Sequence, residues 1–364
     1  MRMLLGSLLL AAALPASADS GALVRAIEDA AREDGVHGAV RIVDGGRLVH
    51  EGGYGYADRE WSVPNAGDTR YRIASLTKQF LAILLLQEAE RGRLDLQATL
   101  DRYLPDYAAP WAGQVSIHQL LVHTAGVPDF VSLDWDAYTR RYLHVRVPAE
   151  DIAADLATQA LEFAPGARFA YSNSGYLLLG LVLEAVTGAS WCALLKERIL
   201  DPAGMADSGC DDFETVRPRR ARGYYLRSEQ YSNAPYDHSA HAEGNMYATV
   251  RDLERYDRAL REGRLLSPPM QALMHLPHVR VRAEEGERER WYGYGVYLQR
   301  RSDEEGGEVT VATHSGGIEG FSAFLLRGLE DGRFVALLEN VTRDGERVDV
   351  VHALYPPVAA PAAP

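Results

Sequence analysis

The segment RIASLTKQFLAILLL, residues 72–86, constrains this chain more than any other. Residues 76–91 read as one helix closed by Gly92, apolar nearly all round rather than along one stripe. Such a helix has no face to give to water, so the fold must bury it. Yet Lys78 falls in its first turn, three residues after Ser75. Of 38 Lys and Arg residues only Lys78 and Lys196 are lysine. Arginine stays charged in a protein, whereas lysine loses its proton where charge is disfavoured. A lysine kept at this place points to a use for that proton.

Strand patterns occupy the two ends of the chain. Residues 39–56 alternate apolar and polar around Asp44-Gly45-Gly46, which predicts a β-hairpin. Further strands are expected at 292–299, 309–314, 321–326 and 334–340, with Asp331-Gly332 turning between the last two. Between them, helical patterns such as 175–186 and 250–261 alternate with loops rich in Pro, Gly and Asp. The expected fold class is α/β in the α+β sense. An antiparallel sheet from both chain ends (about 19–94 and 275–355) is flanked by helices and carries a mostly helical insertion of about 95–274.

Arg2, the apolar run 4–14 and Ala16-Ser17-Ala18 form the pattern of an export signal, removed near Ala18. The mature protein is therefore expected in the periplasm or outside the cell. A run of eleven residues is too short to span a bilayer, no cysteine follows to carry a lipid, and no later stretch reads as a membrane span. Residues 356–364, rich in Pro and Ala, are expected to be disordered. The formal charge of −13 becomes −14 once the segment with Arg2 is removed, which argues against nucleic acid and anionic membrane as partners. Cys192 and Cys210 do not make a metal-ligand set, and no metal or cofactor is expected. In an oxidising compartment they are candidates for a disulfide, Cys192 on an apparent helix (191–199) and Cys210 just past the turn DPAGMADSG.

Three motifs carry chemistry. Ser75 and Lys78 share one helix face at i and i+3. Backbone N–H groups at the helix start favour a developing oxyanion, and burial there pushes a lysine towards its neutral form. A neutral lysine beside a serine makes an activated nucleophile. The second motif is FAYSNSGYLLLG, with Tyr171 and Asn173 in the loop before the helix 175–186. Its phenol can shuttle protons near a lysine, and its amide can hold the lysine and a substrate carbonyl. In the third, VATHSGGIEGF, a strand ends in His314-Ser315-Gly316-Gly317. Glycines on an edge strand let a substrate approach, and the N–H groups of Gly317 and Ser75 would form an oxyanion hole. Each motif has a plain structural alternative: Ser75 and Ser172-Asn173-Ser174 as helix caps, and the glycines as a hairpin turn.

Taken in order, Ser-x-x-Lys, Tyr-x-Asn and a [Lys/His]-[Ser/Thr]-Gly strand resemble the penicillin-recognising serine hydrolases. The spacing is similar to that of class C β-lactamases and their D-peptidase and esterase relatives. LLVHTAGVPDF (120–130), ILDPAGMADSG (199–209) and NMYATVRDLERY (245–256) also look like landmarks of that family. The resemblance implies a β-lactamase/transpeptidase-like fold and an acyl-serine intermediate on Ser75. It implies that Lys78 and Tyr171 share the proton transfers, either being the base, and that Asn173, His314, Ser315 and Gly316 hold a small-molecule or peptide substrate. Enzymes specialised for β-lactams usually carry lysine where this chain has His314; histidine resembles some D-aminopeptidases and D-Ala-D-Ala peptidases. If the His314 ring faces the substrate, it holds a carboxylate only below its pKa, near ~6.5 when unperturbed. The favoured expectation is hydrolysis of a D-amino-acid peptide, amide or ester. The alternative is a β-lactamase or penicillin-binding DD-carboxypeptidase, and a non-catalytic binding protein ranks below both.

Overall fold

A computed structural model describes residues 20–32, 35–131, 138–281, 289–302 and 307–343. The export segment and the Pro/Ala-rich tail lie outside the described residues. The predicted hairpin forms from β1 (Gly38–Asp44) and β2 (Arg47–Tyr54). Gly45 and Gly46 join them at φ +53° and +77°, the left-handed values that a two-residue turn needs.

These strands pair with six from the far end of the chain. They are β3 (Val279–Val281), β4 (Arg290–Tyr292), β5 (Tyr297–Ser302), β6 (Glu308–Ile318), β7 (Phe321–Gly328) and β8 (Phe334–Glu339). The eight-stranded order is β3-β4-β5-β6-β7-β8-β1-β2, antiparallel at every pairing. Two expected strands differ. Residues 292–299 form the end of β4 and the start of β5 rather than one strand, because Gly293 and Gly295 turn between them, Gly295 at φ +74°. The strand expected at 309–314 runs on to Ile318, so the third motif lies within its end.

Successive strand residues face opposite sides, and here both sides are covered. Val40, Ile42, Val311, Leu326 and Val335 meet Leu23 and Ile27 of α1 (Ser20–Arg32). On the other face Ala39, Val43, Leu325, Phe334, Ala336 and Leu338 join the main core, which contains α2 (Thr77–Glu90). Every α2 residue from Thr77 to Glu88 is buried, as the all-round apolar sequence demands. Gly92, at φ +71°, follows its C-terminus. The charge that the last turn buries is satisfied: the Glu88 carboxylate accepts from Arg91, Arg93 and Arg198.

In the insertion, helices alternate with long irregular stretches, so it is less helical than expected. Its α3 (Asn173–Thr187) starts two residues earlier than expected, and α4 (Val250–Arg261) matches the expected span. Short strands also occur there, among them Met246–Ala248, which pairs on one side with Gly209–Cys210 and on the other with Tyr71–Arg72 beside the first motif. Cys192 and Cys210 are disulfide-bonded, with Cα atoms 5.9 Å apart. Among the described residues no single helix is long and apolar enough to cross a membrane.

Candidate active site

The short pairing of Tyr71–Arg72 with Met246–Ala248 fixes the approach to Ser75, and Ile73 N–H donates to Met246 O. The chain then turns through Ala74 at φ +46° into a 3₁₀ turn (Ala74–Leu76) that leads into α2. A non-glycine residue in the left-handed region costs about 1–2 kcal/mol and persists only where surroundings hold it. Here the strand before it and the Thr77 hydroxyl, which donates to Ala74 O, do so. Ser75 is not a helix cap: the α2 cap position is Leu76, which has no side-chain bond, and Ser75 Oγ instead receives Lys78.

Lys78 is fully buried. Its Nζ donates to Ser75 Oγ at 3.0 Å, Asn173 Oδ1 at 2.8 Å and Glu243 O at 2.9 Å. Burial pushes its pKa down to about 8, against the opposing carboxylates of Glu243 and Asp129. At pH 7 that leaves about a tenth of the molecules with a neutral lysine, against about one in 2,500 for an unperturbed one. The partners decide what the neutral amine does. Asn173 Oδ1 and Glu243 O accept only, so the Ser75 hydroxyl is the one partner of the three able to donate to the amine's lone pair.

Tyr171 packs its ring on His123, with centroids 4.2 Å apart, and stands 5.0 Å from Lys78 Nζ. Its hydroxyl is buried without a well-aligned hydrogen-bond partner. Burial holds its pKa well above the usual value and outweighs the Ser75 side chain, which favours the phenolate. The phenol therefore keeps its proton in the free enzyme. Asn173 belongs to the first turn of α3 rather than to the preceding loop, the Ser172 side chain being the cap.

The segment around the second motif is gripped by residues that sequence reasoning did not single out. Ala170 N–H donates to His123 O, Ser172 N–H to His123 Nδ1, and Asn173 N–H to Asp129 Oδ1. Both His123 and Asp129 come from LLVHTAGVPDF, so the landmark was visible in the sequence although its individual roles were not. Glu243, which holds Lys78 through its backbone, carried no signal of its own.

The third motif meets the first at the turn before α2. β6 lies inside the sheet, not at its edge, but its pairing with β5 stops at Thr313. From His314 onward that side of β6 is free of β5. A Cβ on Gly316 would lie 2.3 Å from Ile73 O and 3.1 Å from Ser75 N, so only glycine allows this approach. Ser315 and Gly317 alternate to the exposed side, and a Cβ at Gly317 would meet nothing within 4 Å.

His314 departs from the expectation of a charged ring facing substrate. It is 2% exposed and both ring nitrogens are engaged within the protein. Ser172 N–H occupies His123 Nδ1, so a neutral His123 carries its proton on Nε2 and donates to the Tyr292 hydroxyl. Tyr292 then donates to His314 Nε2, and His314 Nδ1–H donates to Ser315 O. Burial, with Lys78 nearby, pushes the His314 pKa down to about 3, and burial likewise depresses that of His123. The motif histidine is a neutral brace behind the strand.

An antiparallel sheet covered by helices, with a serine bonded to a buried lysine and joined to a Tyr-x-Asn turn and a glycine strand, defines a serine hydrolase of the β-lactamase fold. The chain belongs to the Beta-lactamase family, whose model matches residues 23–355. It is 30% identical over 330 residues to penicillin-binding protein 4* of Bacillus subtilis (strain 168), a match covering 85% of this chain and 69% of that one. A penicillin-binding protein from Bacillus halodurans superposes with a TM-score of 0.76 at 27% identity, covering 86% of this chain and 95% of that one. D-amino acid amidase from Ochrobactrum anthropi SV3, solved with L-phenylalanine, gives 0.73 at 28% identity, covering 89% and 92%. The chain spans 60–69% of the length of the curated relatives it matches.

Proposed function

We propose that this protein is an exported serine hydrolase that cleaves an amide, peptide or ester of a D-amino acid through an acyl-serine intermediate. The observation that carries the reading is the buried Lys78, whose three partners leave only Ser75 to supply a proton. Ser75 Oγ attacks the carbonyl carbon as its proton passes to Lys78. The oxyanion lies against the N–H groups of Ser75 and Gly317. As the C–N or C–O bond breaks, Tyr171 gives its proton to the leaving group and is reprotonated from Lys78. Water then adds to the acyl ester by the reverse path and frees Ser75.

The neutral His314 favours substrates that need no cation at that position, such as amides and esters, over those read by a terminal carboxylate. Similarity to D-amino acid amidase supports the same class. The Cys192–Cys210 bridge fits an oxidising compartment and so supports export.

A serine-directed fluorophosphonate followed by mass spectrometry is expected to place the adduct on Ser75. Turnover on D- and L-amino-acid amides, D-Ala-D-Ala peptides, short p-nitrophenyl esters and a chromogenic cephalosporin then ranks the substrates, with D-amides and esters expected first. Preference for the cephalosporin or for D-Ala release would replace this reading with a β-lactamase or DD-carboxypeptidase. Lys78→Arg is expected to lose about 10³-fold or more in kcat/KM, because arginine accepts no proton at neutral pH. Near wild-type turnover by that variant would remove Lys78 as the proton acceptor.

A further inference from the structure

The lone-pair argument for Lys78 depends on which way the Asn173 amide points. Were its NH₂ group turned to Nζ, it would donate to the neutral amine and compete with Ser75 for the lone pair. Something must fix the amide. Asp129 Oδ1 accepts from Asn173 N–H at 2.8 Å, and Asp129 Oδ2 lies 3.3 Å from Asn173 Nδ2. An ionised carboxylate only accepts, so it draws the NH₂ side to itself and leaves Oδ1 for Lys78.

We propose that Asp129 is a positioning residue for the Ser75–Lys78 couple: its carboxylate clamps the Asn173 amide with Oδ1 towards Lys78, and its negative charge holds the ammonium through that amide. This rests on the serine-hydrolase reading given above. It gives a role to the VPDF end of the landmark segment, which the three motifs do not use. The other groups facing Lys78 are Glu243 in the turn before Met246–Ala248, the rings of Tyr171 and Tyr176, and the neutral His123 and His314. Glu243 also acts on the ammonium by charge, so Asp129 is one of two carboxylates doing so. It alone also orients Asn173 among the described residues.

Two roles predict two different results. Loss of a purely structural bond lowers activity without changing the pH at which Lys78 titrates. Loss of the clamp and its charge lowers activity and also moves that titration to lower pH, since an opposite charge nearby favours the ammonium.

The test compares the full-length wild type with Asp129→Asn, and with Asp129→Ser as a second uncharged variant that retains an acceptor for the Asn173 N–H. The first readout is the rate of Ser75 phosphonylation by a neutral fluorophosphonate between about pH 5 and 9, which needs no knowledge of the substrate. The second is direct. With only two lysines in the chain, ¹³Cε-labelled lysine gives two signals, and that of the exposed Lys196, paired with Asp201, serves as internal reference. In either folded variant the Lys78 signal and the acid limb should move down by about half to one pH unit, while the plateau rate falls about tenfold or more. An unmoved Lys78 titration, or an unchanged plateau rate, overturns the role. If the wild type itself is not labelled at Ser75, the failure belongs to the serine-hydrolase reading instead.

Discussion

At the scale of single residues, position in the chain and position in the fold carry different information. Ser75 and Lys78 are legible because three residues of helix bring them together whatever surrounds them. Tyr171 and Asn173 are legible only as a motif. Their braces are not: Asn173 meets Asp129 at a separation of 44 residues, and His123 meets Tyr292 at 169. His314 shows the cost of reading a residue type alone, since a histidine suggests a switch near neutral pH until its burial is known. Its pKa near 3 makes the ring neutral across the physiological range. The ratio of kcat/KM for a carboxylate-bearing substrate to that for a matched neutral one should therefore stay flat, within about twofold, from pH 8 to 6. A severalfold rise on acidification would mean that the ring protonates in contact with substrate.

At the scale of elements, the site depends on how closely β6 meets the turn before α2. Gly316 and Gly317 are neighbours with opposite demands. Gly316→Ala drives a Cβ into the backbone of Ile73 and Ser75, so strand or turn must shift. We expect a stability loss of about 1–3 kcal/mol and at least a tenfold fall in kcat/KM. Gly317→Ala points its methyl into open space and should melt within about a degree of the wild type. Thermal melts of the two variants check this, and a Gly316→Ala protein as stable and active as wild type would contradict the close approach. The elements themselves were read well where a periodic pattern ran long, as in α4, whose bounds match. They were misread where glycine turns and tertiary contacts decide the ends. β4 and β5 looked like one strand, and β6 extends from the expected bound at 314 through its motif because β7 pairs with it to Ile318.

At the scale of the molecule, neutral buried imidazoles make folding sensitive to acid. His314 and His123 are each 2% exposed, and His275 accepts from Arg327, with its pKa down at about 3 through burial. Below ~6.5 the unfolded chain binds protons that these native rings refuse, so stability rises with pH across this range and falls on acidification. One such group contributes about 1.4 kcal/mol per pH unit between ~6.5 and its folded pKa. The melting temperature should fall progressively from pH 6.5 to 4.5, and a constant value would show that the rings accept protons while folded. The sequence determined by itself the buried α2, the hairpins, the two-ended sheet and the Ser75–Lys78 pair, because each follows from side-chain periodicity or a few residues of local geometry. Only the tertiary structure decided that, among the described residues, Lys78 has one hydrogen-bond partner able to donate to it, that Asp129 orients Asn173 and that His314 is neutral. The reason is physical: hydrogen-bond direction and proton affinity depend on what is packed nearby, and those neighbours arrive from distant parts of the chain.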